Sequence, residues 1–195
     1  MKVLLTAVNA KYIHSNLAVY DLRAYAEAYG TGGAQVEIGE YTINHTIDYI
    51  LEGIYKAKPD VLCFSCYIWN LDYVEQLMDE YHKICPEVPI WVGGPEVSYE
   101  TEAFLKEHPQ VTGVMVGEGE ETFLELCESY AKAGIGEMAE KMNLSGIKGI
   151  MYRAGESLVK TGAREPLDLN RIPFCYGGVE DFRNRIIYYE SSRGC

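Results

Sequence analysis

Asp60-Val61-Leu62-Cys63-Phe64-Ser65-Cys66-Tyr67 is a mostly apolar run, and the chain changes rhythm directly after it: Leu71, Val74, Leu77, Met78 and Tyr81 recur at helical spacing. A short apolar run without alternation is the signature of a strand covered on both faces, and the 3.6-residue period that follows marks a helix able to cover one of them.

The same unit recurs on either side. Lys2 to Val8 reads as a buried strand ending at Asn9, and Leu17 to Tyr29 keeps apolar residues on one helical face before Gly30 stops it. Gln35 to Glu40 is a second strand, followed by a helix from Thr46 to Ala57 that ends ahead of Pro59. Ile90 to Val92 is a fourth strand with a helix near Val97 to Glu107, and Val111 to Val116 a fifth with a helix from Glu121 to Ala133. Strand–helix alternation of this kind predicts an α/β fold with a parallel sheet between two helical layers. The expected form is flavodoxin-like (Rossmann-type), five-stranded, with strand order 2-1-3-4-5.

Beyond residue 135 the pattern changes. Gly149 to Arg153 and Ser157 to Thr161 flank Ala154-Gly155-Glu156, a β-hairpin expected to extend the sheet edge or pack beside it. Residues 165–185 carry Pro166, Pro173 and Gly177-Gly178 without sustained periodicity and read as an interdomain linker. From Arg185 the chain turns apolar again, as at the start of a new strand over 186–195. The expected organisation is a ligand-binding domain over 1–135, a hairpin extension over 136–164, then linker and strand.

Composition narrows the function. The chain has 195 residues, 48% of them hydrophobic, and a net charge of −12. That charge, without any basic run, argues against a phosphate-backbone partner, so no direct nucleic-acid binding is expected. No stretch approaches the roughly 18 to 20 apolar residues that span a bilayer, and no cleavage-site pattern follows Met1. Cysteines at 63, 66, 85, 127, 175 and 195 have no disulfide-scaffold spacing. A cytoplasmic protein away from membranes is expected.

In an open parallel sheet the ligand lies outside the carboxyl ends of the strands. Four loops therefore matter: Asn9 to Asn16, Ser65 to Asn70, Gly93 to Ser98 and Gly117 to Thr122. Glycines in the last two either make tight turns or let backbone approach a ligand closely. Gly117-Glu118-Gly119-Glu120-Glu121 is a poor phosphate cradle, because it places carboxylates where helix amides would otherwise attract an anion. Those carboxylates either complement the dipole of their own helix or accept hydrogen bonds from ligand hydroxyls or amides. Cys63 and Cys66 form a Cys-x-x-Cys spacing without a second Cys/His pair nearby, and read as small buried residues.

Taken in order, the Asn-rich loop after strand one, Asp60 to Cys66, Gly93-Gly94-Pro95-Glu96, Gly117-Glu118-Gly119-Glu120-Glu121-Thr122 and the closing Glu190-Ser191-Ser192-Arg193-Gly194-Cys195 resemble the cobalamin-binding front end of radical S-adenosylmethionine enzymes. The resemblance covers essentially the whole chain. It implies that Cys195 is the first cysteine of a Cys-x-x-x-Cys-x-x-Cys loop holding a 4Fe–4S cluster, the other two lying beyond this sequence. It also implies cobalamin contacts from His14, Ser15, Asn16, Leu17, Ser65, Cys66, Tyr67, Trp69, Asn70, Gly93, Gly94, Pro95, Glu96, Gly117, Glu118, Gly119 and Glu120. The nucleotide tail would thread in at strand three and the loops after strands four and five, with the corrin above, near His14 to Leu17 and Tyr67 to Asn70. Tyr67 and Trp69 are either packing aromatics or an apolar cover on the corrin.

Cobalamin proteins that supply a histidine to cobalt do so from Asp-x-His-x-x-Gly, and radical enzymes of the resembled family often lack that ligand. The stretch around His14 has neither the Asp nor the Gly, which points to cobalamin without a protein ligand to cobalt. The resemblance further implies that the full-length enzyme cleaves S-adenosylmethionine and, with methylcobalamin, methylates an unactivated carbon of a small-molecule or unknown substrate. Its partner is its own radical barrel, and the fragment by itself is non-catalytic. Ring-forming or rearrangement chemistry, a scaffold or sensor domain without cobalamin, and a flavin or nucleotide site are the alternatives.

Overall fold

The computed structural model describes residues 1–133 and 144–193. Strands β1 (Lys2–Asn9), β2 (Gln35–Thr42), β3 (Val61–Ser65), β4 (Ile90–Gly93) and β5 (Gly113–Met115) form a parallel sheet in the expected order 2-1-3-4-5. Strands β6 (Ile150–Ala154) and β7 (Ser157–Lys160) then extend it, giving a seven-stranded sheet, β2-β1-β3-β4-β5-β6-β7. β6 runs antiparallel to β5, so the hairpin continues the sheet edge. Gly155, with φ +61°, makes its two-residue turn.

All five residues of β3 are buried, because helices cover both faces of the sheet. Alternate side chains serve different cores. Leu4, Val8, Leu62 and Phe64 pack with Ile50 and Ile54 of α2 (Ile47–Ala57) and with Val74, Leu77 and Met78 of α3 (Leu71–Ile84). Val3, Leu5, Ala7 and Cys63 face the opposite way, against Val19 of α1 (Leu17–Tyr29) and Phe123 and Leu126 of α6 (Glu120–Ala133). On that side Trp91 Nε1 donates to Tyr130 Oη at 2.8 Å, satisfying the indole of a fully buried ring.

The helix expected near Val97 to Glu107 is two short ones, α4 (Pro95–Ser98) and α5 (Thr101–Glu107). Hydroxyls explain the break: Thr101 Oγ1 donates to the carbonyls of Val97 and Ser98, and Ser98 Oγ to that of Gly94. Side chains that capture backbone acceptors compete with helix continuation.

Residues 165–185, which lack periodicity in sequence, run back along the α1 side of the domain. Cys175 and Tyr176 are buried in the same core as Val19 and Tyr20, and the Phe182 ring meets Tyr20 and Tyr176 edge-on at 5.3 and 4.8 Å. Ile186 then forms an isolated parallel bridge with His14. Among the described residues no helix is long and apolar enough to cross a membrane.

Candidate functional site

A cavity of about 1110 Å³ opens at the carboxyl ends of the central strands. That is at the upper end of the roughly 300–1,000 Å³ usual for small-molecule sites. Leu5, Cys63, Phe64 and Met115 from β1, β3 and β5 contribute an apolar floor. Leu17, Ala18, Val19, Asp21 and Leu22 of α1 form one side, and the loops at Gly93 to Pro95 and Gly117 to Glu120 form the other. Tyr188 to Arg193 cross from the β1–α1 loop to the β5–α6 loop and add a further wall.

The glycines are required by geometry. Gly94 has φ +116°, and a Cβ there would sit 2.3 Å from the Cys66 carbonyl oxygen, so β4 can turn into α4 against the β3 loop only with glycine. Gly117 has φ +83° and open space where a Cβ would project.

The residues singled out in sequence divide into two sets. Leu17, Ser65, Tyr67, Gly93, Gly94, Pro95, Gly117, Glu118, Gly119 and Glu120 line the cavity. His14, Ser15, Asn16, Cys66, Trp69, Asn70 and Glu96 do not, and most of them have other work. Asn70 is fully buried: its Nδ2 donates to the Val8 and Ser65 carbonyls, and its Oδ1 accepts from the Tyr67 amide. Asn16 Nδ2 donates to Ser65 Oγ at 3.2 Å, and Ser15 Oγ bonds to the Tyr176 hydroxyl at 3.0 Å and the Ile186 carbonyl. Cys63 and Cys66 are both buried free thiols, and burial pushes both pKa values up, so they stay protonated.

His14 Nδ1 is hydrogen-bonded to the Tyr188 hydroxyl, and the two rings stack with centroids 5.8 Å apart. Its ring therefore anchors the C-terminal segment. Tyr67 and Trp69 stack face to face, 4.5 Å apart and 6° from parallel. Tyr12, Ile68, Trp69 and Tyr99, from three separate loops, leave exposed apolar surface. Cys195 lies outside the described residues. Among the described residues no group of three His, Cys, Asp or Glu side chains is placed to hold a metal ion.

The carboxylates of the β5–α6 loop are mostly paired within the protein. Glu118 Oε2 accepts from the Leu167 amide at 2.7 Å, Glu121 is held by Arg164 and Arg171, and Glu120 pairs with Arg193. Sequence reasoning passed over Asp21, which is buried on the cavity wall. Burial raises its carboxyl to about 6, reinforced by Glu120 and Glu190 and opposed by a hydrogen bond to Cys175 and by Arg193. The signal was available, since Asp21 is the lone acidic residue on the otherwise apolar buried face of α1.

A doubly wound α/β domain with its cavity at the strand-order reversal is a ligand-binding domain of the cofactor-holding class. The profile of the B12 binding domain matches residues 3–127, and the chain belongs to that family. It is 28% identical over 186 residues to the cobalamin-dependent radical SAM methyltransferase TokK of Streptomyces tokunonensis, covering 89% of this chain and 26% of that protein. It is 29% identical over 166 residues to the 2-(S-pantetheinyl)-carbapenam-3-carboxylate methyltransferase of Streptantibioticus cattleyicolor, covering 75% of this chain and 23% of that one. Its fold matches the radical S-adenosylmethionine methyltransferase TsrM from Kitasatospora setae, a structure with cobalamin and a 4Fe–4S cluster bound, with a TM-score of 0.62 and 16% identity. That match covers 84% of this chain and 31% of that one. The chain thus spans about a quarter of the length of these two curated relatives.

Proposed function

We propose that this chain binds cobalamin with its nucleotide tail in the cavity between α1 and the β4 and β5 loops. The single observation that carries this reading is the cavity itself: a volume of about 1110 Å³ at the strand ends, whose apolar floor and glycine rim fall within the span matched by the B12 binding profile. A flat aromatic base with a sugar fits such a slot. The exposed apolar side chains Tyr12, Ile68, Trp69 and Tyr99 would hold the corrin, where its apolar surface would replace water.

The full-length enzyme is a radical S-adenosylmethionine methyltransferase acting on an unactivated carbon of a small molecule, with a 4Fe–4S cluster that begins at Cys195. Bound cobalamin supplies the methyl group, and the residues of this chain bind and orient it. His14, tied to Tyr188 and off the cavity wall, would not be free to ligate cobalt, which is a histidine-off reading of the site.

The test is retention. Purified protein mixed with hydroxocobalamin keeps its corrin absorbance through desalting, and His14→Ala leaves that absorbance spectrum unchanged. A colourless eluate from correctly folded protein overturns the cobalamin reading; a spectral shift in His14→Ala overturns the histidine-off reading.

A further inference from the structure

The rim of the cavity carries more negative charge than its own loops neutralise. Asp21, Glu118, Glu120 and Glu190 all line it, and Arg193 is the one cation among the described lining residues. Its Nη2 donates to Glu120 Oε1 at 2.5 Å and its Nε to Glu190 Oε2 at 2.7 Å, while Nη1 lies 3.5 Å from Glu118 Oε2. The Glu120 side chain is 5% exposed and that of Arg193 20%. This pair is therefore poorly screened by water and more consequential than a surface ion pair.

The partners lie far apart in the chain. Glu118 lies in the β5–α6 loop and Glu120 opens α6, whereas Arg193 ends a segment pinned at its other side by separate contacts. There Arg185 pairs with Glu40, the Ile186 amide donates to the Ile13 carbonyl, the Ser15 amide donates to the Ile186 carbonyl, and the Tyr188 amide donates to the Tyr176 hydroxyl. Between these two anchor points Tyr188–Arg193 forms a wall of the cavity. Without Arg193 that wall loses its far anchor, and four carboxylates face one another without a cation.

We propose, resting on the cobalamin reading above, that Tyr188–Arg193 is a strap closing over the nucleotide tail and that Arg193 is the positioning residue that holds it, by pairing with Glu120 and Glu118. The strap slows escape of the tail from the slot. A ligand lacking the tail is not retained by it.

The test compares dissociation of hydroxocobalamin with that of cobinamide, which has the corrin but no nucleotide tail, from the parent chain, Arg193→Gln and Arg193→Lys. A hydrogen-bonded charge pair of this kind is worth roughly tenfold in a rate or affinity. Arg193→Gln is expected to release cobalamin about tenfold faster, with cobinamide release unchanged and Arg193→Lys partly restored. Equal acceleration for both ligands, or none for either, overturns the strap. A second arm needs no ligand: trypsin cleavage after Arg193, relative to cleavage after the exposed Arg183, is expected to rise at least threefold in Glu120→Gln. If the parent chain retains neither ligand, the cobalamin reading fails and the strap's role on the tail fails with it; an unchanged tryptic ratio overturns separately that Glu120 and Arg193 hold the segment.

Discussion

The β3–α3 loop and the β5–α6 loop both carry polar side chains, both sit at the carboxyl ends of central strands, and both read as ligand contacts in sequence. Their polar groups are satisfied in different ways. In the first, Asn70 is used up by its own neighbourhood, holding Val8, Ser65 and Tyr67 backbone groups together. In the second, Glu118 and Glu120 reach across the cavity rim to Leu167 and Arg193. The first loop is therefore a fixed piece of scaffold, and the second is part of a wall that another segment closes. A polar residue in a site loop marks a ligand contact only if nothing in the fold has already taken its hydrogen bonds.

That contrast can be broken at Asn70. Truncation in Asn70→Ala leaves two buried carbonyls and one buried amide without partners, each worth on the order of 1–3 kcal/mol. With partial relaxation the expected loss is about 3 kcal/mol, read as a lower urea midpoint at unchanged slope. A loss below about 1 kcal/mol would mean that water replaces the side chain and that the loop is not scaffold.

The other side of the comparison is sharpened by pH. Asp21 faces Glu120, Glu190 and Arg193 across the cavity wall, and burial holds its carboxyl at about 6, above its ordinary value of 3.8. Between those values the folded protein binds more protons than the unfolded chain, so this group's contribution to stability is present below about pH 4 and declines as pH rises through 6. Asp21→Asn removes the decline and is expected to gain on the order of 2 kcal/mol relative to the parent at pH 7 over pH 4. Parallel stability–pH curves for the two proteins would show that Asp21 does not carry the shift.

The smallest effect concerns Gly117. An alanine there is strained by φ +83° but meets no atom within 4 Å. Gly117→Ala is expected to cost about 1 kcal/mol of stability while weakening hydroxocobalamin retention, since the added methyl enters the slot. Unchanged retention would place the ligand elsewhere along the rim.

Much of the fold is legible in the chain's periodicities. Unbroken apolar runs such as Val61 to Phe64 and one-sided helices such as α3 announce a doubly wound sheet, and 2-1-3-4-5 is the common order for five strands so connected. Boundaries are less legible where side chains bond to backbone. Strand β5 is Gly113–Met115, shorter than Val111 to Val116, because Val111 and Thr112 already serve Arg153 and Ile90 as partners.

The candidate site was legible at its glycines and dark at its partners. Gly94 and Gly117 have left-handed φ values that few other residues tolerate, so residue type alone flagged them. Asn16 and Asn70 look the same in sequence whether they face a ligand or a carbonyl. Only the fold shows that both spend their amides on neighbouring protein groups.

By itself the sequence determined the layered α/β architecture, the end of the sheet where the cavity opens and the resemblance to cobalamin-binding domains, because each rests on local periodicity or on residue types at fixed spacing. The tertiary structure alone decided that residues 165–193 fold back onto α1, that His14 anchors Tyr188, and that Arg193 closes the rim against Glu120. Those contacts join residues up to 174 positions apart. They depend on charge and shape meeting in space, which leaves no periodic trace along the chain.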